Sequence, residues 1–156
     1  MRALTWLDPG MPLEAIDLDI LEHRLGVAFP QGYRALVLNH DGASNPAEST
    51  FAFSTATGRK RVGNFGALLS LSANRSDSGS ELLLECLEGL GNRLPGDVVP
   101  IISTGNGDYI CLDYRDRRPV PTIAYFDHEQ SSSLSFVDNS FEQFIEMLQV
   151  PDDLSD

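Results

Sequence analysis

Positive charge is scarce in this chain: 156 residues carry 11 Lys+Arg against 23 Asp+Glu, a formal net charge of −12. Phosphate backbones and anionic headgroups require a basic face, so this balance argues against nucleic-acid and membrane partners and favours a basic partner or an uncharged one. Cysteine is scarce too. Cys86 and Cys111 are too few for a disulfide scaffold, and their apolar neighbours (Leu84, Leu87; Ile110, Leu112) mark them as buried small hydrophobes. No apolar run approaches the ~18 residues of a membrane span, and Met1 to Pro9 lacks an apolar signal core. The chain therefore reads as soluble and cytoplasmic. Its three histidines, His23, His40 and His128, lie in separate segments without metal-ligand spacing. There is no Gly-x-Ser-x-Gly and no cysteine with a clearly assigned histidine. The expectation is a chain without metal or cofactor and without catalysis.

What is present is globular. Apolar residues make up 42% and charged residues 22%, which suits one core of ordinary size. The expected organisation is a single domain over residues 1–150, followed by an acidic tail over 151–156. Charge is unevenly spread. Residues 31–75 carry 5 basic and 2 acidic side chains, with a run at Arg59-Lys60-Arg61, whereas residues 101–156 carry 3 basic and 11 acidic ones. Such asymmetry suggests a binding face, although a solvated acidic surface explains it equally well.

Periodicity places helices first and last around a run of strands. Pro12 opens a helical pattern with Leu13, Ile16, Ile20, Leu21 and Leu25 on its apolar face, stopped by Gly26. Pro30 starts a second helix with Tyr33, Leu36 and Val37 inward, ending near Asn39 to Gly42. Residues 44–49 read as polar turns, Phe51-Ala52-Phe53 as a short strand, 55–61 as a loop and 74–80 as another loop. Ser78 or Ser80 would cap a helix holding Leu82, Leu83, Cys86, Leu87 and Leu90. Four strands follow, at 98–102, 109–114, 121–126 and 134–137. Asn106-Gly107 between the first two is a hairpin signal, because both residue types accept positive φ. Ser140 to Gln143 fits a capping box for a last helix with Phe141, Phe144, Ile145 and Leu148 inward. The fold class expected is α+β, a mostly antiparallel β-sheet with helices packed against it.

Three constellations invite chemistry. Thr104-Gly105-Asn106-Gly107-Asp108 looks like a phosphate cradle, but it leads into a strand and ends in Asp108, so it reads as a turn. Asp127-His128-Glu129 follows a strand, where adjacent side chains point to alternate sides and cannot easily converge on one ion. Asp108, Asp113, Asp127 and Glu129 could form an acid/base pair if the fold gathered them, though carboxylates are abundant enough for coincidence.

In order, several of these segments resemble the SUKH superfamily of Smi/Knr-like domains. They are Leu25-Gly26-Val27-Ala28-Phe29-Pro30-Gln31-Gly32-Tyr33, then Leu36 to Gly42, then Val99-Pro100-Ile101-Ile102-Ser103-Thr104-Gly105-Asn106-Gly107-Asp108, then Tyr125 to Glu129 and Ser140 to Phe144. Phe29 stands where that family often has Leu, His40-Asp41-Gly42 replaces its commoner Gly-Gly ending, and residues 44–95 are unmatched. The resemblance implies a protein-binding role of the bacterial immunity type, in which a cognate toxin, such as a nuclease, is neutralised. A basic toxin cleft would suit an acidic inhibitor steered by charge. The partner-facing candidates are Asp108, Asp113, Asp116, Asp127 and Glu129. A regulatory scaffold domain with several partners, as in fungal members, and a small hydrolase using the carboxylates from Asp108 to Glu129 are the other readings.

Overall fold

The structure, a computed structural model, describes residues 1–72, 81–116, 120–130 and 133–152. A short strand β1 (Trp6–Asp8) precedes helices α1 (Ala15–Leu25) and α2 (Gln31–His40). Then come β2 (Ser44–Pro46), β3 (Thr50–Ser54), β4 (Lys60–Asn64) and β5 (Ala67–Leu68). Helix α3 (Leu83–Leu90) leads into β6 (Val98–Ser103), β7 (Tyr109–Asp113), β8 (Thr122–Phe126) and β9 (Leu134–Asp138), and α4 (Phe141–Met147) closes the order. Seven strands form one sheet in the order β1-β2-β5-β6-β7-β8-β9, with antiparallel neighbours throughout, while β3 and β4 form a separate hairpin. This is the expected α+β architecture.

Helix α1 buries a different face from the one its hydrophobic residues suggest. Leu18 and Leu21 are buried, and Leu25 packs against the core, whereas Ile16 and Ile20 are 58% and 57% exposed. At 100° per residue, Ile16 and Ile20 each lie about 200° from Leu18, on the outer side. The stop is as expected: Gly26 takes φ 70°, and its N–H donates to the carbonyls of Glu22 and His23. In α2, Tyr33 packs edge-on against Phe29 at 5.1 Å and Phe141 at 5.4 Å, locking α2 to α4. Its hydroxyl is buried without a hydrogen-bond partner among the described residues. Beyond α2, buried Asp41 accepts from Ser70 Oγ at 2.7 Å and from the Leu71 N–H at 2.8 Å, tying the helix end to the strand segment beside it.

Strand β6 sits centrally, and all six of its residues are buried. Pro100 lies beside a bulge, where the register to β7 shifts between Pro100 and Ile102, the kind of position at which a strand accepts proline. Residues 44–46, expected as turns, form the strand that joins β1 to β5. The expected loop over 55–61 is shorter, because β4 begins at Lys60. The residue before helix α3 is Leu82, which makes no side-chain cap bond; the candidate caps Ser78 and Ser80 and the expected loop over 74–80 lie outside the described residues. At α4 the cap holds: Ser140 Oγ accepts from the Gln143 N–H at 3.2 Å, and Phe141, Phe144, Ile145 and Leu148 are buried.

The β3–β4 hairpin folds over the end of the sheet on an aromatic layer. Phe53 stacks on Tyr125 at 4.6 Å, and Phe51 meets Phe144 edge-on at 5.1 Å. Gly63 makes this approach possible, since a Cβ there would lie 2.3 Å from Phe51 Cζ. The hairpin thereby carries Arg59, Lys60 and Arg61 to the turns at one end of β7 and β8.

Candidate functional site

Three segments distant in sequence converge at that end: the β3–β4 hairpin, the β6–β7 turn and the residues after β8. Between them lies a cavity of about 440 Å³, lined by polar and charged side chains. The β6–β7 turn is built on two glycines, Gly105 at φ 93° and Gly107 at φ 97°. Asn106 does not share the positive φ expected of it. Its side chain instead accepts from Thr104 Oγ1 and, at 3.2 Å, from the Asp108 N–H, closing the turn from inside.

Asp108 is the centre of the site, and it is buried, at 2% exposure. Expected to offer its carboxylate to a partner, Asp108 has both oxygens engaged within the chain. Oδ2 accepts from the Tyr125 hydroxyl at 2.5 Å and lies 3.8 Å from Arg61 Nη2. Oδ1 accepts the His128 backbone N–H at 2.9 Å and lies 2.6 Å from His128 Nδ1. Burial pulls the carboxyl pKa upward, but the hydrogen bonds from Tyr125 and His128 outweigh it and hold the group below its ordinary value. Burial first, then the bond to Asp108, pushes the Tyr125 hydroxyl well above the phenol range, so it stays a donor. With Asp108 ionised and so able only to accept, Nδ1 of His128 is the nitrogen that donates to it.

Arg61 is fixed from both sides. Nη1 donates to Asp127 Oδ2 at 2.8 Å, and the guanidinium lies 5.1 Å from the Tyr125 ring centre and 5.8 Å from that of Phe53. Arg59 and Lys60, its chain neighbours, border the cavity and are exposed, and no ion pair joins either to a carboxylate among the described residues.

The five carboxylates expected at one face divide into two groups. Asp108, Asp127 and Glu129 meet at the cavity. Asp113 and Asp116 do not: β7 pairs Tyr109 with Phe126 but Asp113 with Thr122, so Asp113 lies at the far end, about 17 Å along the strand from Asp108. There Asp113 is gripped by Arg115, with Nε 3.0 Å from Oδ1 and Nη2 2.8 Å from Oδ2. Asp116 is exposed nearby.

Ligand atoms of Asp108, Asp127 and His128 come within 4.8 Å of one another, the grouping a metal would need. The strand argument against convergence does not apply, because β8 ends at Phe126 and Asp127-His128 belongs to the following turn. Glu129 is not in that group. The Arg61 guanidinium bridges the two carboxylates, so the cation the site is built around is a side chain. In the sequence Arg59-Lys60-Arg61 is only a basic run; nothing in the run itself tells that Arg61 lies half-buried over two aromatic rings.

Among the described residues no helix is long and apolar enough to cross a membrane. A comparison with curated proteins finds no match. A family model, that of the SMI1 / KNR4 family (SUKH-1), matches residues 12–147, which include every helix and all the strands but β1. The chain belongs to the SMI1 / KNR4 family (SUKH-1).

Proposed function

We propose that this chain is a non-enzymatic protein-binding domain of the immunity type, which neutralises a cognate bacterial toxin by covering a basic site on it, in the cytoplasm. Family membership over residues 12–147 is the observation that carries this reading. Charge supports it: with a net −12, association with a basic surface is accelerated by long-range attraction. A nuclease fits best among toxins, because a cleft that holds phosphates must be basic. Exposed Asp116 and Glu129 supply contact charges, Asp113 and Asp127 reach the surface as ion pairs with Arg115 and Arg61, and Asp108 acts behind them by positioning His128 and Arg61. A standard interface of about 800 Å² per partner is roughly a tenth of the accessible surface of 8534 Å². The sheet end that carries Asp127 and Glu129 can provide part of such a patch.

The test is expression of the genes that neighbour this one in the native host, with and without this chain. The expected result is growth rescue together with a stable one-to-one complex. Absence of rescue, or turnover of a substrate by the isolated chain, overturns the reading. Recovery of several unrelated partners in place of one toxin favours the regulatory scaffold.

A further inference from the structure

We propose that strand β4 pairs edge to edge with β4 of a second copy of this chain, joining two β3–β4 hairpins into one four-stranded antiparallel sheet. This inference is independent of the toxin reading. It rests on where the backbone groups of the hairpin point. Residue pairs run from Thr50–Asn64 to Ser54–Lys60 without a shift. Just beyond the two ends, the Phe65 N–H donates to the Ser49 carbonyl at 2.7 Å and the Thr55 N–H to the Arg59 carbonyl at 2.8 Å. Antiparallel ladders alternate hydrogen-bonded and non-hydrogen-bonded pairs. Counted inward from either end, Phe51–Gly63 and Phe53–Arg61 are therefore the bonded pairs. The N–H and C=O groups of Lys60, Val62 and Asn64 point the other way, off the outer edge of β4. On the outer edge of β3, Thr50 exchanges backbone bonds with Gln149 at 3.0 and 2.9 Å. The outward groups of β4 have no partner among the described residues.

The side chains leave this edge open as well. Lys60, Val62 and Asn64 are exposed, Val62 at 69%, while Arg61 and Gly63 face the aromatic layer. An exposed edge without proline or bulge is a template for another strand. The edge is also preorganised. Phe51, Phe53 and Arg61 hold the hairpin in place before any pairing, which lowers the ordering cost. An apolar residue at the middle, with a cation at one end and an amide at the other, suits the same strand turned about a two-fold axis.

Charge selects the register. With Val62 opposite the partner's Val62, Lys60 lies opposite the partner's Asn64, and each pair of open residues exchanges two backbone hydrogen bonds. The two Lys60 positions are then about 14 Å apart along the sheet, beyond the Debye length of about 8 Å at physiological salt. A slip of two residues toward the turn sets Arg61 against Arg61, and a slip of four sets Lys60 against Lys60. Both oppose like charges directly. A slip the other way leaves Lys60 past the end of the partner strand at Asn64. So short an edge buries less than the about 800 Å² per partner of a standard interface, so the dimer is weak, with a Kd on the order of 100 μM. Two chains of net charge −12 also repel, and salt screens that repulsion.

The experiment is sedimentation equilibrium of the full chain from about 10 μM to about 1 mM, at low salt and at about 0.5 M salt. The expected result is a monomer at the low end and a monomer–dimer equilibrium at the high end, with salt favouring the dimer. Val62→Pro removes the outward N–H from both copies and leaves the β3 ladder intact, so it should weaken dimerisation by about tenfold or more. Val62→Lys, which opposes like charges, should weaken it too. Amide NMR spectra report whether each variant is folded. Disulfide capture with oxidised glutathione reads the register. Val62→Cys chains, with Cα atoms about 5.5 Å apart in the dimer, should cross-link. Lys60→Cys chains alone should not, whereas a mixture of Lys60→Cys and Asn64→Cys chains should. Cys86 and Cys111 are buried and do not compete. A chain still monomeric at about 1 mM in high salt overturns the proposal. Dimerisation undiminished in both folded Val62 variants overturns it as well, as does Lys60→Cys linking to itself as readily as Val62→Cys.

Discussion

Asp108 holds His128 twice, accepting its backbone N–H at 2.9 Å and facing its Nδ1 at 2.6 Å with the same oxygen. One carboxylate thus fixes both the path of the turn after β8 and the orientation of the ring it carries. Removing that charge should cost stability in a pH-dependent way. Asp108→Asn keeps the shape but turns an acceptor-only group into one that also presents donors to Tyr125, His128 and Arg61. The expected loss is about 1.5–3 kcal/mol by denaturant titration. Because the folded-state pKa lies below the unfolded value, the stabilisation is present above about pH 3.9 and lost as pH falls through the folded pKa. Wild type should therefore lose stability more steeply than the Asn variant below about pH 4. Parallel acid-unfolding curves would contradict this.

Tyr33 provides the opposite case. Its ring is buried between Phe29 and Phe141 while its hydroxyl lacks a partner among the described residues. Tyr33→Phe should be neutral or raise stability by up to about 1 kcal/mol, whereas Tyr33→Ala should cost about 3–5 kcal/mol. A destabilised Phe variant would mean that the hydroxyl is satisfied after all.

The β6–β7 turn should distinguish its two glycines. Both have positive φ, but a Cβ at Gly105 meets open space, while one at Gly107 lies 3.1 Å from the His128 ring. Gly107→Val should cost on the order of 1–3 kcal/mol in backbone strain and displace His128 as well. Gly105→Ala should cost less. An unchanged denaturant midpoint for Gly107→Val would show that the turn does not set the register of Ser103 against Tyr109.

The periodic elements were readable from sequence because their side-chain pattern matches their burial. Phe141, Phe144, Ile145 and Leu148 repeat at helical spacing and are all buried. Two kinds of element were not readable. Ser44-Asn45-Pro46 has no strand character of its own and is a strand only because β1 and β5 flank it. In β4 the buried position is Gly63, which leaves room for the Phe51 ring, so the expected alternation of apolar and polar side chains is absent. In α1, Ile16 and Ile20 imitate a core face but lie outside. The site was legible as pieces: Asp108, Asp127, His128 and the basic run all stood out. Their union was not, because Arg61 and Asp127 meet across 66 positions of sequence.

Both cysteines should behave as inert core residues. Burial, then the hydrogen bond to Glu81, pushes the Cys86 thiol up to about 12, and burial raises Cys111 further. Thiolate is the reactive form, so alkylation at pH 8 should be slow and follow global unfolding. Reductant and chelator should leave the Tm unchanged. Rapid labelling of the folded chain, or a fall of several degrees with EDTA, would contradict these expectations.

The central claim is that an acidic surface steers this chain to a basic toxin. Stopped-flow association with the cognate toxin tests it most directly, comparing wild type with a variant in which Asp113, Asp116, Asp127 and Glu129 are changed to Asn or Gln. Asp108 is left in place so that the turn stays intact. The account predicts an association rate lower by about tenfold or more at low salt. It also predicts that the difference shrinks toward 1 M salt, where the Debye length is about 3 Å. Equal rates at low salt, with the neutralised protein still protecting cells, would contradict it.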